Sequence, residues 1–476
     1  MNQELIGKPK RKKSGKFVVF LFVLACSATL LAVFYLEEDV RGRHAWESYR
    51  TKLQAQGEEL SWNAYIPSAV PDAVNVLKAP KIEEWLFRKE GVTNQNGFSQ
   101  RLMVSNTVSV LTNEVDAAHY LASCETIKSD LQLIRDALQR PYVYISPTPS
   151  NSLVLPVHNF VSIRTVAQVI SQITHCHLLL KQPQQARENL IFLHDFRRIL
   201  EGAPASRTET LITVMINTAI VGMESELIGE GMKQGVWKKQ DLDAIQKRLS
   251  EIDLLRQLDH SFKVERSAIF HRVDVTTKRD LANLFLEHDS QSNQRTKKGW
   301  EYWKVRLMPQ GWIWQNLKVH VALMTETYGS ICDPENQILV PHKIQEGQAH
   351  VQNELSSFSP FHVISRVTIP NYIRACQVLA QRQTVVNQLQ IACFLEKYRL
   401  SHQDYPETLD ALEFAPGLRL PHDIVGGQSL KYRRESSTSY LLYSIGWNET
   451  DDGGKLTPDK SGGSFDEHGD WVWRPN

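Results

Sequence analysis

The usual signatures of catalysis are missing from this chain of 476 residues. It has no HExxH zinc motif, no phosphate-binding P-loop and no GxSxG nucleophile elbow. Those absences remove the commonest motif-bearing metalloprotease, nucleotide-hydrolase and serine-hydrolase readings. Cysteine is scarce: six residues, widely spaced, with no CxxC. That excludes a dense disulfide scaffold and a paired-cysteine zinc site. Five lie beyond the first apolar run, so at most two disulfides could form; helical surroundings favour core thiols. An excess of one charge is lacking too, with 54 Lys and Arg against 53 Asp and Glu. A nearly neutral chain exerts no broad pull on nucleic acid, and no such partner is expected. Long apolar runs are absent as well, with one exception.

The exception is Phe17–Leu36, which carries no charged residue. As a helix it reaches across a hydrocarbon core of about 30 Å. Before it stand Lys8, Lys10, Arg11, Lys12, Lys13 and Lys16 against the single acid Glu4; behind it come Glu37, Glu38 and Asp39. This asymmetry predicts that residues 1–16 stay in the cytoplasm and the rest lies across the membrane. Three rival readings are weaker. A cleaved signal peptide calls for a shorter apolar core and a small-residue exit, and no clean site falls near Tyr35. Lipid attachment at Cys26, after Val23-Leu24-Ala25, leaves the following apolar residues unexplained. A buried core helix does not need so basic a flank.

Beyond the run, charged residues at 22% and hydrophobic ones at 42% describe a folded body. The expected organisation is a basic tail at 1–16, a transmembrane helix at 17–36 and a stalk and linker at 37–100. A helical domain follows at 101–370, then a long helix with a small α+β module at 371–476. The fold class expected is mainly α, with an antiparallel helical body. One apolar stripe runs from Val104 to Leu138 at spacings of three and four. Ile163 to Leu180 and Ala186 to Leu200 make two more, joined by Lys181-Gln182-Pro183, so these two helices are expected to lie antiparallel. Further helices are expected at about 206–229, 239–258 and 264–286. Trp300, Trp303, Trp312 and Trp314 then cluster. They could clamp a helix junction at Pro309-Gln310-Gly311, meet a membrane surface, or form a platform for sugar or peptide.

In the last hundred residues a long helix, Asn371 to Tyr398, is followed by Asp404-Tyr405-Pro406-Glu407-Thr408-Leu409-Asp410-Ala411-Leu412. Proline in its first turn suits a short helix start. Gln428–Arg434 and Ser439–Ile445 read as two strands around a polar turn. An acidic, glycine-rich stretch then leads to Asp466-Glu467-His468-Gly469-Asp470-Trp471. This order resembles the globular half of the major pseudopilin of type II secretion systems. The resemblance covers about a sixth of the chain. It implies a closing loop that binds calcium, with Asp466 and Glu467 as the paired acids before the final tryptophans. Asp451 and Asp452 join them as candidate ligands, with Asp459 and Asp470 nearby; clustered hard oxygens on a flexible loop are what calcium needs. The membrane run lacks the glutamate that follows the processing site in pseudopilins, which argues against polymerisation as a pilin. The whole chain is also similar to bacterial membrane-anchored proteins that share this ending. With the apolar run and its basic flank, the location expected is the bacterial inner membrane, single-pass, with the N-terminus cytoplasmic and the main body periplasmic or extracytoplasmic.

Other candidates carry less. Gly229-Glu230-Gly231 has the wrong spacing for a dinucleotide loop and suits a helix end. His175 and His177 sit two apart, on different helix faces. His194-Asp195, His288-Asp289 and His422-Asp423 are His-Asp pairs without further ligands at helical spacing. No catalytic residue or cofactor other than calcium is expected. The function expected is a non-catalytic binding or assembly component of the envelope with a protein partner. One alternative is an envelope hydrolase acting on cell-wall sugar or peptide through the tryptophans and acids such as Glu265 or Glu301. Another is a secretion-system accessory with a calcium-binding loop.

Overall fold

The computed structural model describes residues 14–86, 98, 101–102, 112–144, 160–201, 210–275, 277–282, 302–329, 331–369, 371–412, 420–455 and 469–475. The chain is mainly α-helical, with a small antiparallel sheet near its carboxy-terminal end. Contacts divide it into two compact units: residues 1–58, 273–322 and 357–369 form the first, and residues 59–272, 323–356 and 370–476 the second.

The first unit is built on α1 (Ser14–Ala55), one uninterrupted helix that carries the apolar run and its charged continuation. Pairs at helical spacing, Arg41–Glu38 at 2.6 Å and Arg43–Glu47 at 2.7 Å, support the charged part. The helix is long and apolar enough to cross a membrane, and none of its apolar window is buried in the fold. Among the described residues one other helix, the shorter and less apolar Leu211–Lys233, is also long enough to cross, but it buries 67% of its window, as a core helix does.

The second unit holds the helical body. The elements here are α2 (Glu114–Cys124), α3 (Lys128–Ala137), α4 (Phe160–Leu179), α5 (Pro183–Phe196), α6 (Leu211–Lys233), α7 (Lys239–Ser250) and α8 (Leu254–Val275). α4 and α5 form the expected antiparallel hairpin. Lys181 turns the chain at φ 54°, and Pro183 opens α5 at its first turn. α6 packs against both.

Several helix boundaries differ from expectation; the helix expected over 264–286, for instance, runs Leu254–Val275. The stripe from Val104 to Leu138 is not one helix. Its part from 103 to 111 lies outside the described residues, and the rest breaks at a 3-10 turn, Glu125–Ile127. Asn113 caps α2 by accepting the Asp116 N–H at 2.9 Å. The turn re-aims the chain so that Ile127, Leu131, Ile134 and Leu138 are buried, while Val115 stays exposed. The expected helix 239–258 ends at Ser250, because Asp253 caps α8: its Oδ1 accepts the Arg256 N–H at 2.9 Å. Gly229 and Gly231 do not end α6, which runs on to Lys233. A Cβ on Gly231 would overlap the Trp237 indole, whose Nε1–H donates to the Ile228 carbonyl at 3.0 Å.

Further along come α9 (Gln310–Leu323), α10 (Pro341–Ser356), α11 (Val363–Thr368) and α12 (Ile373–His402), with a two-stranded ribbon of β1 (Cys332–Asp333) and β2 (Ile338–Leu339). α12 packs on α6 and α7 and ends where Gln403 turns left-handed at φ 59°. Pro406–Leu412 makes only a 3-10 turn at Leu409–Ala411, shorter than the expected helix. The neighbouring Asp404 and Glu407 are instead drawn to Arg434, Asp404 at 2.7 Å. The sheet is β3 (Lys431–Arg434), β4 (Tyr440–Ser444) and β5 (Trp471–Trp473), antiparallel in that order. β4 is central and buried along its length. Ile391, Phe394 and Leu395 of α12 pack with Tyr405, Leu430, Tyr440 and Leu442. Each such side chain contributes roughly 1.5–3 kcal/mol of burial, so the sheet is held mainly by that helix.

Candidate functional site

The acidic loop of the carboxy-terminal module is the first site to build. β4 ends at Ser444, and the chain turns through Gly446 to Asp451 and Asp452. Asp451 Oδ1 accepts from the Tyr443 hydroxyl at 3.1 Å and the Gly453 N–H at 3.0 Å. Asp452 Oδ2 accepts from the Asn448 amide at 3.1 Å. Asp470 is buried at the start of β5, and its two oxygens accept the Asp452 N–H at 3.3 Å and the Gly454 N–H at 2.6 Å. Burial, followed by the charges of Asp451 and Asp452, pushes the Asp470 carboxyl above its usual range, against the two N–H bonds. Asp470 thus gathers the 451–454 loop against the sheet. Asp466 and Glu467, with Asp459, lie outside the described residues. Among the described residues no three acids, histidines or cysteines converge as a ligand set. The donors present are hard carboxylate oxygens, the chemistry that suits calcium.

A cleft of about 360 Å³ lies elsewhere in the module, between Ile391 of α12, the 407–410 and 420–422 segments and the start of β3. Ile391, Leu409, Leu420 and Leu430 line it, with His422 and Asp410 among its polar groups. It offers an apolar floor and a polar rim for a small group or a partner's side chain.

A second site lies inside the helical body. Glu224 of α6 is buried. His194 Nδ1 of α5 sits 2.8 Å from its Oε1, and Arg197 Nε 3.4 Å from its Oε2. Arg197, also buried, reaches Glu201 at 3.3 Å. Asn217 extends the network by donating to Glu201 at 3.0 Å and Gln257 at 2.9 Å. Burial alone would push the Glu224 carboxyl up. The Arg197 guanidinium and the His194 contact more than reverse this and hold it below the usual glutamate range. None of these side chains lines the cleft, so the cluster serves to lock α5, α6 and α8 together. It also separates the His194-Asp195 pair: Asp195 goes to Arg248 at 2.9 Å, on α7. Sequence reading passed over Glu224: it is one of three acids in α6, and only the fold buries it while leaving Glu226 exposed and Glu230 half-buried.

The third site is the collar where α1 leaves its apolar run, within the first unit. Gly311 of α9 meets α1 so closely that a Cβ there would overlap the Glu38 carbonyl. Two of the three acids behind the apolar run, Glu38 and Asp39, are consumed at this crossing. Asp39 Oδ1 accepts the Gly311 N–H at 2.8 Å, and Glu38 Oε2 accepts the Trp312 Nε1–H at 2.8 Å. They complement the positive end of α9. Trp312 stands edge-on to Phe34 and Phe361. Asn316, buried, donates to the Pro360 carbonyl at 2.7 Å and accepts the Ile364 N–H at 3.1 Å, pinning α11 to α9.

The tryptophans therefore do not share one environment. Trp312 belongs to the collar, Trp314 is half-buried, Trp303 is exposed and Trp300 lies outside the described residues. Of the acids considered for hydrolysis, Glu301 is also outside. Glu265 accepts the Leu211 N–H at 2.9 Å and so caps α6. Comparisons with protein-family models, curated proteins and solved structures find no match for this chain.

Proposed function

We propose that this chain is a single-pass bacterial envelope protein, its basic tail cytoplasmic and its helical body across the membrane, acting as a non-catalytic binding or assembly component. One observation carries the reading: the uncharged part of α1 is left wholly unburied by the fold, although it is apolar enough to drive burial. A bilayer is the solvent that such a surface fits. The collar suits the same reading, since it packs α9 of the same unit against α1 just where the apolar run ends. Carbonate washing of membranes followed by protease treatment of intact spheroplasts tests it. The protein is expected to stay in the membrane and its body to be digested from outside. Release by carbonate, or protection of the body, would reject it.

A second reading, favoured by the way Asp470 holds the 451–454 loop against the sheet, is a secretion-system accessory with a calcium-binding loop. It requires Asp466 and Glu467 to complete the ligand set. Melting of the full chain in calcium and in chelator decides it: a higher Tm with calcium supports the loop, and equal Tm values remove it.

A further inference from the structure

In the first unit, the helical segment 302–307 sits beside the last turn of the apolar run. Tyr35 donates its hydroxyl proton to the Leu307 carbonyl. The inner side of the segment is packed, with Val305 and Met308 buried. Its outer side is not. Trp303 is 52% exposed and Leu307 62% exposed, and residues four apart share one helix face. Tyr35 thus joins this face to the exposed apolar surface of α1, where Phe34 and Leu36 are also exposed. Arg306 is exposed on the same short segment. Lys278 is close by, donating to the Met308 carbonyl at 3.0 Å. Scattered exposed apolar residues need no explanation. These two differ because they continue a surface that already requires lipid.

Building on the anchored reading, we infer that segment 302–307 is a membrane-interface foot. Trp303 and Leu307 enter the boundary between headgroups and acyl chains of the leaflet from which α1 emerges. Indole rings favour that boundary, and Arg306 is placed to meet lipid phosphates. The foot sets the depth of α1 and limits its tilt, because Tyr35 and the Gly311 crossing make foot, collar and anchor one piece.

The test uses the full chain carrying Cys26→Ser, reconstituted in phosphatidylglycerol and phosphatidylethanolamine vesicles. An environment-sensitive fluorophore is attached at Trp303→Cys or, in a second variant, at Leu307→Cys. Ser436→Cys, on the turn after β3, serves as the reference. The foot predicts blue-shifted emission at positions 303 and 307, and quenching by lipids bearing a shallow nitroxide, relative to position 436. Water-like emission without quenching, in protein that resists carbonate, would overturn the foot and leave the anchor standing. Blue-shifted emission without nitroxide quenching would put protein rather than lipid over this face and would also overturn it. Release of the unlabelled chain by carbonate would mean that the anchor itself has failed.

Discussion

Glu224 and Arg197 show how much one residue decides inside a helical body. Both are buried, so removing one strands the other's charge. Glu224→Ala is expected to destabilise the fold by about 3–5 kcal/mol, read as a lower Tm. The pH dependence follows from the sign of the shift. The folded carboxyl titrates below its unfolded value of about 4.3, so its contribution is complete above that pH. It is lost as pH falls through the lower, folded value. The Tm difference between wild type and Glu224→Gln should therefore shrink in acid below about pH 4. A difference independent of pH would remove the carboxylate from this account. The thiols make a separate prediction. Cys124, Cys176, Cys332, Cys376 and Cys393 are all buried and unpaired by disulfides. Burial pushes Cys176 and Cys332 up to about 12. A water-soluble thiol reagent should modify none of these five in the native protein and all five after denaturation.

At the scale of elements, the crossing of α1 and α9 depends on two residues without side chains. Gly42 and Gly311 let the backbones touch, and the Gly311 N–H reaches Asp39 only at that distance. Gly311→Ala should cost about 1–3 kcal/mol through overpacking, and more if the collar opens. Melting of the detergent-solubilised chain checks this; an unchanged Tm would show that the helices can part without penalty. The sheet of the carboxy-terminal module depends equally on its neighbour. Buried polar side chains of α12 hold the module, with Gln388 donating to the Trp471 carbonyl of β5 at 2.7 Å and Asn387 to the His422 carbonyl, before the sheet, at 2.9 Å. A periodic apolar pattern says nothing about such contacts, because glutamine and asparagine read as surface residues until their partners are known.

For the molecule as a whole, the prediction concerns solubility. Removing residues 1–36 deletes the exposed apolar run and keeps Glu38, Asp39 and Gly42, the collar's contribution from α1. The truncated chain, expressed in the cytoplasm, should be recovered without detergent after high-speed centrifugation. If it still pellets with membranes, the body has another strong attachment.

The apolar run, the basic flank, the α4–α5 hairpin and the strands at 431–434 and 440–444 were legible in the sequence. Each is set by local chemistry: hydropathy, charge, proline and glycine placement, and alternation. The breaks at Glu125–Ile127 and Asp253 were partly legible, because a capping side chain is local, but competing apolar stripes ran across them. The short strand Trp471–Trp473 was not legible, since three residues become a strand only when β4 supplies the hydrogen bonds. Nor could any pattern show that Glu38 and Asp39 would be spent on the start of a helix some 270 residues later. Sequence alone determined which solvent each stretch prefers, because that is a property of the residues themselves. Only the tertiary structure decided which polar groups are partnered and which apolar faces stay open, because pairing and exposure depend on what the rest of the chain brings near.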